Sequence, residues 1–322
     1  MALLEVRDLS IDIAGIKPLD GIGFAVDRGQ ILGLVGESGS GKSLTALSVM
    51  GLLPLIGGRV ERGSIRFDGA ELTELSEPAL RRLRGRRIAF ITQNPMTSLD
   101  PVMRVGAQID QVSRLHLGLD AKAAAARSIA LMERLRIPAA ATVYHHYPHE
   151  LSGGMKQRIV IAMALSADPD LIIADEPTTA LDVTIQAQII QLLVELVRDR
   201  GVALVLITHD MGVVAQACDQ VVVLYAGRVA ESNSVGQIFA TPRHPYTKAL
   251  IRCIPRDGMA PGSLAGIPGS VPSVAKYPSG CRFHPRCAEV LPRCPEIVPP
   301  LEQMSSGGAV ACHAVVAKVA HG

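Results

Sequence analysis

Short apolar runs alternate with longer amphipathic stretches over much of this 322-residue chain. Residues 171–174, 203–208 and 221–225 are mostly apolar and have the length of buried strands. Residues 183–198 and 211–218 separate them, and the first of these segments places apolar side chains at helical spacing. Strands that alternate with helices predict a mostly parallel sheet covered by helices on both faces.

The N-terminal part and the middle of the chain carry other patterns. Residues 4–26 form short alternating segments broken by glycine and proline, which predict antiparallel strands ahead of the parallel core. Residues 65–69 read as a further strand and turn, and residues 88–91 as a buried strand. That strand is expected to end at residues 92–95, where Pro95 stops the regular structure. Residues 105–135 read as helical.

The composition changes near residue 235. Proline, glycine and cysteine crowd residues 242–312, whereas the chain as a whole is 48% hydrophobic, enough for a packed core. With 3% aromatic residues and no tryptophan, that core must be aliphatic. We therefore expect a domain over residues 1–235, with a helical subdomain at about 94–160, and a loop-rich extension over residues 236–322.

Charge and hydropathy exclude several classes of protein. The net charge is +2, which argues against a nucleic-acid-binding protein. The one basic run, at residues 81–87, reads as the solvated end of a helix before a strand. The N-terminus lacks the features of a signal peptide, and no apolar run approaches the roughly 18 residues that span a bilayer. We expect a cytoplasmic protein that reaches a membrane only through partners.

The strongest chemical signal is a phosphate-binding loop. Residues 36–43 fit G-x-x-x-x-G-K-S/T and lie between an apolar strand at 31–35 and a helical stretch at 44–50. Such a loop curls so that backbone N–H groups, reinforced by the helix N-terminus, point at phosphate oxygens. Lys42 would reach the β- and γ-phosphates, and the Ser43 hydroxyl would bind Mg²⁺. The predicted nucleotide-binding residues are Gly36, Ser38, Gly39, Ser40, Gly41, Lys42 and Ser43.

Two carboxylates end the apolar run at residues 171–174. A buried strand delivers Asp175 to the carboxyl edge of the sheet, where it can hold Mg²⁺ through water. Glu176 could orient and deprotonate an attacking water. The alternative is a helix cap before Pro177, which the phosphate loop in the same chain makes the weaker interpretation.

A third motif, Leu151–Gly154, opens a helix that runs to about residue 166. Together with Gln93, Asp182 and His209, it makes residues 3–235 closely resemble the ATP-binding cassette ATPases of ABC transporters. The resemblance implies an α/β fold: a RecA-like parallel-sheet core with a phosphate loop, N-terminal antiparallel strands and a helical subdomain. It also implies ATP and Mg²⁺ as cofactors.

In that family two cassettes dock head to tail, and each ATP lies between one chain's phosphate loop and the other chain's signature, here Ser152, Gly153 and Gly154. A helix N-terminus suits a γ-phosphate. By resemblance, Gln93 senses Mg²⁺ and the attacking water and begins the segment that meets the membrane subunit. His209 contacts the γ-phosphate; the alternative is a structural histidine at a strand end. Asp182 crosses the dimer interface.

One position departs from the family pattern. Members often stack adenine on an aromatic residue near the first strands, where this chain has Ile13. Ile13 offers apolar contact without a π-face, so selectivity for the base should be weaker. Glu176 is present, which argues against a regulatory or scaffolding cassette without hydrolysis.

Two further segments, residues 93–101 and 241–250, resemble the oligopeptide/dipeptide/nickel importer branch. The cysteine-containing tail, residues 280–313, resembles the same branch. The resemblance implies a peptide importer with a second ATPase, expected to make a heterodimer, two transmembrane permease subunits and an extracytoplasmic substrate-binding protein. The chain would then sit at the cytoplasmic face of the membrane. Nickel or another small solute is the alternative cargo. A soluble cassette ATPase acting on ribosomes or DNA would carry two cassettes or coiled-coil insertions, which this chain lacks.

Four cysteines of the tail form a candidate metal site. A reducing cytosol disfavours disulfides, and four thiolates suit Zn²⁺ and an iron–sulfur cluster equally. The set has no C-x-x-C pair, which mildly favours the cluster, and the resemblance implies a 4Fe–4S cluster; unliganded thiols are the third possibility. His284 and His313 are alternative ligands, whereas Cys218 and Cys253 lie outside the group. The four predicted ligands are Cys281, Cys287, Cys294 and Cys312.

Overall fold

The computed structural model describes residues 2–178, 182–254, 266–305 and 307–319. The chain forms two compact units. The central unit contains Arg28–Gln30 and Leu75–Leu206. The terminal unit contains Met1–Asp27, Ile31–Glu74 and Ile207–Gly322.

The strands follow the predicted apolar runs closely. The runs at 88–91 and 203–208 have the predicted bounds, whereas the strand expected at 65–69 begins earlier, at Gly58. In chain order the strands are β1 (Leu4–Ile13), β2 (Ile16–Val26), β3 (Ile31–Val35), β4 (Gly58–Phe67), β5 (Ala70–Glu71), β6 (Ile88–Ile91), β7 (Leu171–Asp175), β8 (Ala203–Thr208), β9 (Gln220–Tyr225), β10 (Arg228–Ser234), β11 (Glu302–Gln303) and β12 (Ala309–Val310).

The helices include several short ones that periodicity did not predict. In chain order they are α1 (Lys42–Val49), α2 (Glu77–Leu83), α3 (Pro95–Ser98), α4 (Val105–Leu117), α5 (Ala121–Arg134), α6 (Ala140–Val143), α7 (Gly153–Leu165), α8 (Val183–Arg200), α9 (Met211–Ala217), α10 (Val235–Ala240), α11 (Pro245–Arg252) and α12 (His313–Val319).

The terminal unit holds the predicted antiparallel strands. Its first sheet has the order β2-β1-β4-β5, and every pairing in it is antiparallel. In its second group of strands, in the order β11-β12-β10-β9-β3, β3 pairs with β9 in parallel and the other pairings are antiparallel. The extension thus adds β12 beside β10. The division predicted at residues 235 and 236 stays a prediction.

The central unit contains a parallel strand pair and most of the helices. β6 and β7 pair in parallel, with Ile88 opposite Leu171 and Ile91 opposite Ala174, and β8 lies next to β7. All residues of β7 and β8 are buried. Strands covered on both faces read as continuous apolar runs, which is why the sequence located them well.

Two predictions in this region agree with the structure, which adds the helix ends. β6 ends at Ile91, and Pro95 then begins α3, because proline at a first helical position loses no hydrogen bond. Asn94 caps that turn by accepting from the Met96 N–H (2.9 Å). Residues 105–135 are helical as predicted and form two helices, since Gly118 ends α4 in the left-handed conformation and Asp120 caps α5.

The basic run at residues 81–87 is only partly a solvated helix end. Arg81 and Arg82 are exposed, as expected. Arg86 is half-buried and donates to the carbonyl of Ala167 (2.8 Å). Arg87 forms a 2.6 Å ion pair with Asp170, immediately before β7. The later arginines of the run therefore fasten the start of β7 within the central unit.

In the described ranges, none of the helices combines the length and apolar content that crossing a bilayer requires.

Candidate functional site

The phosphate loop, Gly36–Ser43, connects the fully buried strand β3 to α1. Gly36 has a φ of 152°, and a Cβ there would lie 2.2 Å from the carbonyl oxygen of Leu224. Gly41, the N-cap of α1, has a φ of 104°, which an L-residue rarely adopts. Glycine at these two positions is therefore required by backbone conformation and by space.

Lys42 reaches back across the loop. Its Nζ donates to the carbonyls of Gly36 (2.8 Å) and Glu37 (3.1 Å), and its side chain is buried. Ser40 is also buried, and its Oγ has no hydrogen-bond partner among the described residues. A buried hydroxyl without a partner in such a loop is suited to donate to a phosphate oxygen. The loop residues that face solvent are Ser38, Gly39 and Ser43.

The structure places the carboxylates at the end of β7 in the central unit. Asp175 is the last, buried residue of the strand, and Glu176 follows at a φ of 44°. A non-glycine residue in the left-handed region is strained, and such strain often accompanies functional sites. Gln93 Nε2 donates to Glu176 Oε2 over 3.1 Å. Two predicted catalytic residues are thus in direct contact.

The predicted signature lies at the start of α7. Ser152 is the N-cap, and its side chain accepts from the Met155 N–H at 3.4 Å. Ser152 is exposed, so the N-terminus of the helix is open to solvent. Gly153 and Gly154 form the first turn, and a Cβ on Gly154 would lie 3.0 Å from Ile185 Cγ2. The open end of α7 is suited to bind an anion.

The remaining predicted residues lie at element ends. Asp182 is exposed at the start of α8, and the three residues before it, 179–181, lie outside the described residues. His209 is exposed directly after β8, and Asp210 then caps α9 through the N–H groups of residues 212 and 213. Ile13 is half-buried at the end of β1.

The four tail cysteines lie in one neighbourhood. The Cys281 N–H donates to the carbonyl of Cys294 over 2.8 Å. Burial raises the pKa of the Cys281 thiol to about 11, and the charges of the other three thiols add to this rise. Burial and nearby thiols also raise the pKa values of Cys287 and Cys312. Mutual electrostatic effects of this kind require the thiols to be close to one another.

Backbone N–H groups point at these sulfurs. The Glu289 N–H lies 3.3 Å from Cys287 Sγ, and the Leu291 N–H lies 3.4 Å from Cys294 Sγ. Within the described ranges, no three His, Cys, Asp or Glu side chains are arranged to hold a single metal ion. The residue types fit a thiolate-bound group, because cysteine sulfurs are the ligands of zinc and of iron–sulfur clusters.

The predicted alternative histidine ligands each bond a carbonyl. One ring nitrogen of His284 (Nδ1) lies 2.9 Å from the carbonyl oxygen of Cys281, and His313 Nε2 lies 2.9 Å from that of Ile297. Each bond uses one ring nitrogen and orients the ring toward the backbone of the tail.

Three residues that form contacts at the phosphate loop, one of them within it, were not predicted. Glu37 occupies one of the unspecified positions of the loop motif, so the motif gives it no role. Tyr246 and Arg286 bond to Glu37, and the sequence indicated their segments only as markers of a transporter branch. A signal was available: a tyrosine in an aromatic-poor chain and an arginine beside a predicted ligand cysteine.

Comparison with known families agrees with this site. Residues 19–179 match the model described as ABC transporter, and residues 230–294 match the model described as oligopeptide/dipeptide transporter, C-terminal region. Residues 144–215 also match an AAA-domain model (putative AbiEii toxin, type IV toxin–antitoxin system), which overlaps the first match.

Several curated relatives match the chain over nearly its whole length. The probable peptide ABC transporter ATP-binding protein y4tR of Sinorhizobium fredii is 47% identical over 96% of this chain and 94% of its own. The dipeptide transport ATP-binding protein DppD of Escherichia coli is 45% identical over 97% of both chains. The oligopeptide transport ATP-binding protein AppD of Bacillus subtilis is 44% identical over 96% of both.

Solved structures show the same fold. The protein cbiO1 of Clostridium perfringens, part of the ABC transporter complex cbiONQ, superposes with a TM-score of 0.64 at 28% identity, over 74% of this chain and 91% of its own. The ATP-binding cassette MJ0796, in a dimeric post-hydrolysis state bound to ADP and phosphate, gives a TM-score of 0.64 at 24% identity. The match covers 72% of this chain and 98% of its own.

These matches identify an ATPase with a phosphate loop and confirm the predicted fold class. The chain belongs to the ABC transporter ATP-binding proteins, in the branch of the dipeptide and oligopeptide transport ATP-binding proteins.

Proposed function

We propose that this chain binds and hydrolyses ATP to power the import of dipeptides or oligopeptides through separate membrane subunits. The observation that carries the proposal is the joint presence of an intact phosphate loop, the Gln93–Glu176 contact and the branch-specific C-terminal region. Names of relatives that match over nearly the whole chain support the peptide cargo. Nickel or another small solute is the alternative cargo, which the transport assay distinguishes.

Within the ATP site each residue has a proposed task. The loop N–H groups and Lys42 bind the phosphates, and Ser43, Asp175 and Gln93 are the residues that would hold Mg²⁺. Glu176 deprotonates the attacking water. Gln93 donates to the Glu176 carboxylate and thereby orients that carboxylate. His209 contacts the γ-phosphate, and Ile13 contacts the base. Bound Mg²⁺ would offset the negative charge of the triphosphate.

The second half of the site comes from another chain in this proposal. Ser152, Gly153 and Gly154 would bind the ATP of a partner ATPase, and Asp182 would lie at that interface. The exposed N-terminus of α7 supports this, because a helix N-terminus stabilises anions. We expect a heterodimer at the cytoplasmic face of the membrane, with two permease subunits and an extracytoplasmic substrate-binding protein.

For the tail we propose that Cys281, Cys287, Cys294 and Cys312 bind a 4Fe–4S cluster, with Zn²⁺ as the alternative. The mutual effect of their charges and the N–H groups that point at their sulfurs support the proposal. The bound cluster or zinc would have a structural role, since it would join segments that bury little apolar surface.

The test is the Glu176→Gln variant in the transporter purified with its membrane subunits. Replacing the carboxylate by an amide removes the base and keeps the shape of the side chain. ATP turnover should therefore fall by about 100-fold or more while ATP stays bound. Steady-state hydrolysis and the bound nucleotide are measured together, with dipeptides, longer peptides and Ni²⁺ offered as cargo.

The matched control is Glu195→Gln, the same chemical change at a glutamate on the surface of α8 that pairs with Arg136. It should leave turnover unchanged. Normal turnover by the Glu176→Gln transporter would refute the role of Glu176 as the base. Stimulation of ATP hydrolysis by Ni²⁺ but by no peptide would refute the proposal that peptides are the cargo.

A further inference from the structure

Glu37, the second residue of the phosphate loop, connects that loop to the C-terminal extension. Its backbone N–H donates to the Tyr246 hydroxyl over 2.9 Å. Its carbonyl accepts from Lys42 Nζ (3.1 Å). Its carboxylate receives two N–H groups of Arg286, at 2.8 Å and 3.0 Å. One residue thus joins the phosphate-loop lysine to two residues of the extension.

Arg286 is fully engaged at this contact. Besides the two bonds to Glu37, it donates to the carbonyls of Pro268 (2.8 Å) and Ile267 (3.2 Å) and to the Tyr225 hydroxyl (3.3 Å). These bonds use all five N–H groups that a guanidinium carries. Its side chain is 5% exposed. Lysine has the charge but lacks this planar fork, so it cannot reproduce the arrangement.

The charges of the two side chains are complementary, and their two hydrogen bonds are parallel. The Glu37 side chain is 29% exposed. Without Arg286 its negative charge would be uncompensated in the loop that must accept a triphosphate, and like charges disfavour one another.

Tyr246 is held by an aromatic cluster. Its ring packs edge-on against Tyr225, with centroids 4.7 Å apart, and lies 5.3 Å from Phe283. Its own N–H donates to Nδ1 of His244, the N-cap of α11 (3.0 Å). Three of the chain's ten phenylalanine and tyrosine residues meet here. The hydroxyl that contacts Glu37 therefore has a well-defined position.

We propose that Arg286 and Tyr246 are positioning residues of the ATP site, which hold Glu37 and thereby the phosphate loop in the conformation that binds the triphosphate. A loop already held in its binding conformation loses less conformational freedom when the ligand binds. The extension is then a working part of the nucleotide site. This inference rests on the proposed nucleotide site.

The test measures the dissociation constant of ATP for the purified full chain by equilibrium dialysis, with thermal unfolding recorded for every variant. Arg286→Ala should weaken binding about tenfold, the change that corresponds to 1.4 kcal/mol. Arg286→Lys should fall between Arg286→Ala and the wild type, because it keeps only the charge. Tyr246→Phe removes one hydrogen bond and should weaken binding by roughly threefold.

A double variant distinguishes positioning from a loss of folding. Adding Glu37→Gln to Arg286→Ala removes the uncompensated carboxylate, so it should restore part of the ATP affinity. An unstable extension would not be repaired by that change. If the two substitutions instead weaken binding independently, so that their factors multiply, the proposed pair does not act as a unit.

The matched control is Lys248→Ala. It breaks another ion pair of the extension, Lys248 with Glu289 (2.8 Å), neither member of which belongs to the loop, and ATP affinity should change less than twofold. Wild-type affinity in Arg286→Ala, or an equal loss in Lys248→Ala, would overturn the positioning role. Failure of the wild-type chain to bind ATP would instead contradict the proposed nucleotide site.

Discussion

Two hairpin turns have the same backbone but different surroundings. Ala14-Gly15 has φ values of 51° and 80°, and Ala226-Gly227 has 46° and 78°, the geometry of tight hairpins. A Cβ on Gly15 would have nothing within 4 Å, whereas a Cβ on Gly227 would lie 1.9 Å from the carbonyl oxygen of Pro18. The Gly227 N–H also donates to the Ser40 carbonyl (2.9 Å). Gly227 therefore supports the phosphate loop.

The first prediction compares alanine at the two glycines. Gly15→Ala should cost about 1 kcal/mol of unfolding free energy, the cost of the left-handed conformation alone. Gly227→Ala adds a steric clash with backbone and should cost about 3 kcal/mol in total. Urea unfolding of the two variants checks this. Equal losses of unfolding free energy in the two variants would show that the close approach of the Pro18 carbonyl to Gly227 does not affect stability.

The tail is a segment with little apolar surface of its own. Its small core consists of Val310, Cys312 and Ala314, with partly buried neighbours packed against it. Polar contacts also hold it, such as the bond from Arg293 to the carbonyl of His313 (3.1 Å). Small segments of this kind commonly depend on a metal or a covalent link for stability.

The second prediction therefore concerns metal at the cysteines. Protein purified without oxygen should be brown, with broad visible absorption and about four irons per chain, as four-thiolate 4Fe–4S sites require. Cys287→Ser should lose the colour and the iron and should unfold at lower temperature. Cys253→Ser, outside the group, should lose neither. Colourless protein with one zinc per chain would refute the cluster and favour the zinc alternative.

Stability of the whole chain should depend on pH through one buried histidine. His244 is 3% exposed and caps α11 by accepting from the Tyr246 N–H. Burial, followed by the charge of Lys248, lowers the pKa of His244 to about 4, although Glu289 acts in the opposite direction. The unfolded chain takes up a proton near pH 6.5, and the folded chain does not. The folded state therefore loses stability as the pH falls from about 6.5 towards 4.

The third prediction follows from that sign. Between pH 7 and pH 5, His244 should reduce the unfolding free energy by about 2 kcal/mol. His244→Asn keeps an acceptor for the helix cap but does not titrate, so this part of the pH dependence should disappear. Guanidinium unfolding of both proteins at the two pH values is the measurement. An identical pH dependence in wild type and variant would contradict the assignment.

The sequence was sufficient to predict those parts of the structure that a local pattern of residues determines. Buried parallel strands read as apolar runs, and the phosphate loop, Asp175–Glu176 and the signature lie at element ends that those runs define. The family and its function follow from such ordered motifs. The apolar runs did not locate the helix ends at Pro95 and Gly118, where a proline begins a helix and a single glycine ends one.

Tertiary structure alone decided which distant residues serve the phosphate loop. Glu37 and Arg286 are 249 positions apart, and no periodicity or spacing relates residues so separated. Their pairing depends on how the extension packs beside β9 and β10, where Tyr225, Tyr246 and Phe283 meet. A motif specifies the backbone path of the loop, because glycine conformations are local. The contacts that hold this path arise from packing, which a sequence pattern does not record.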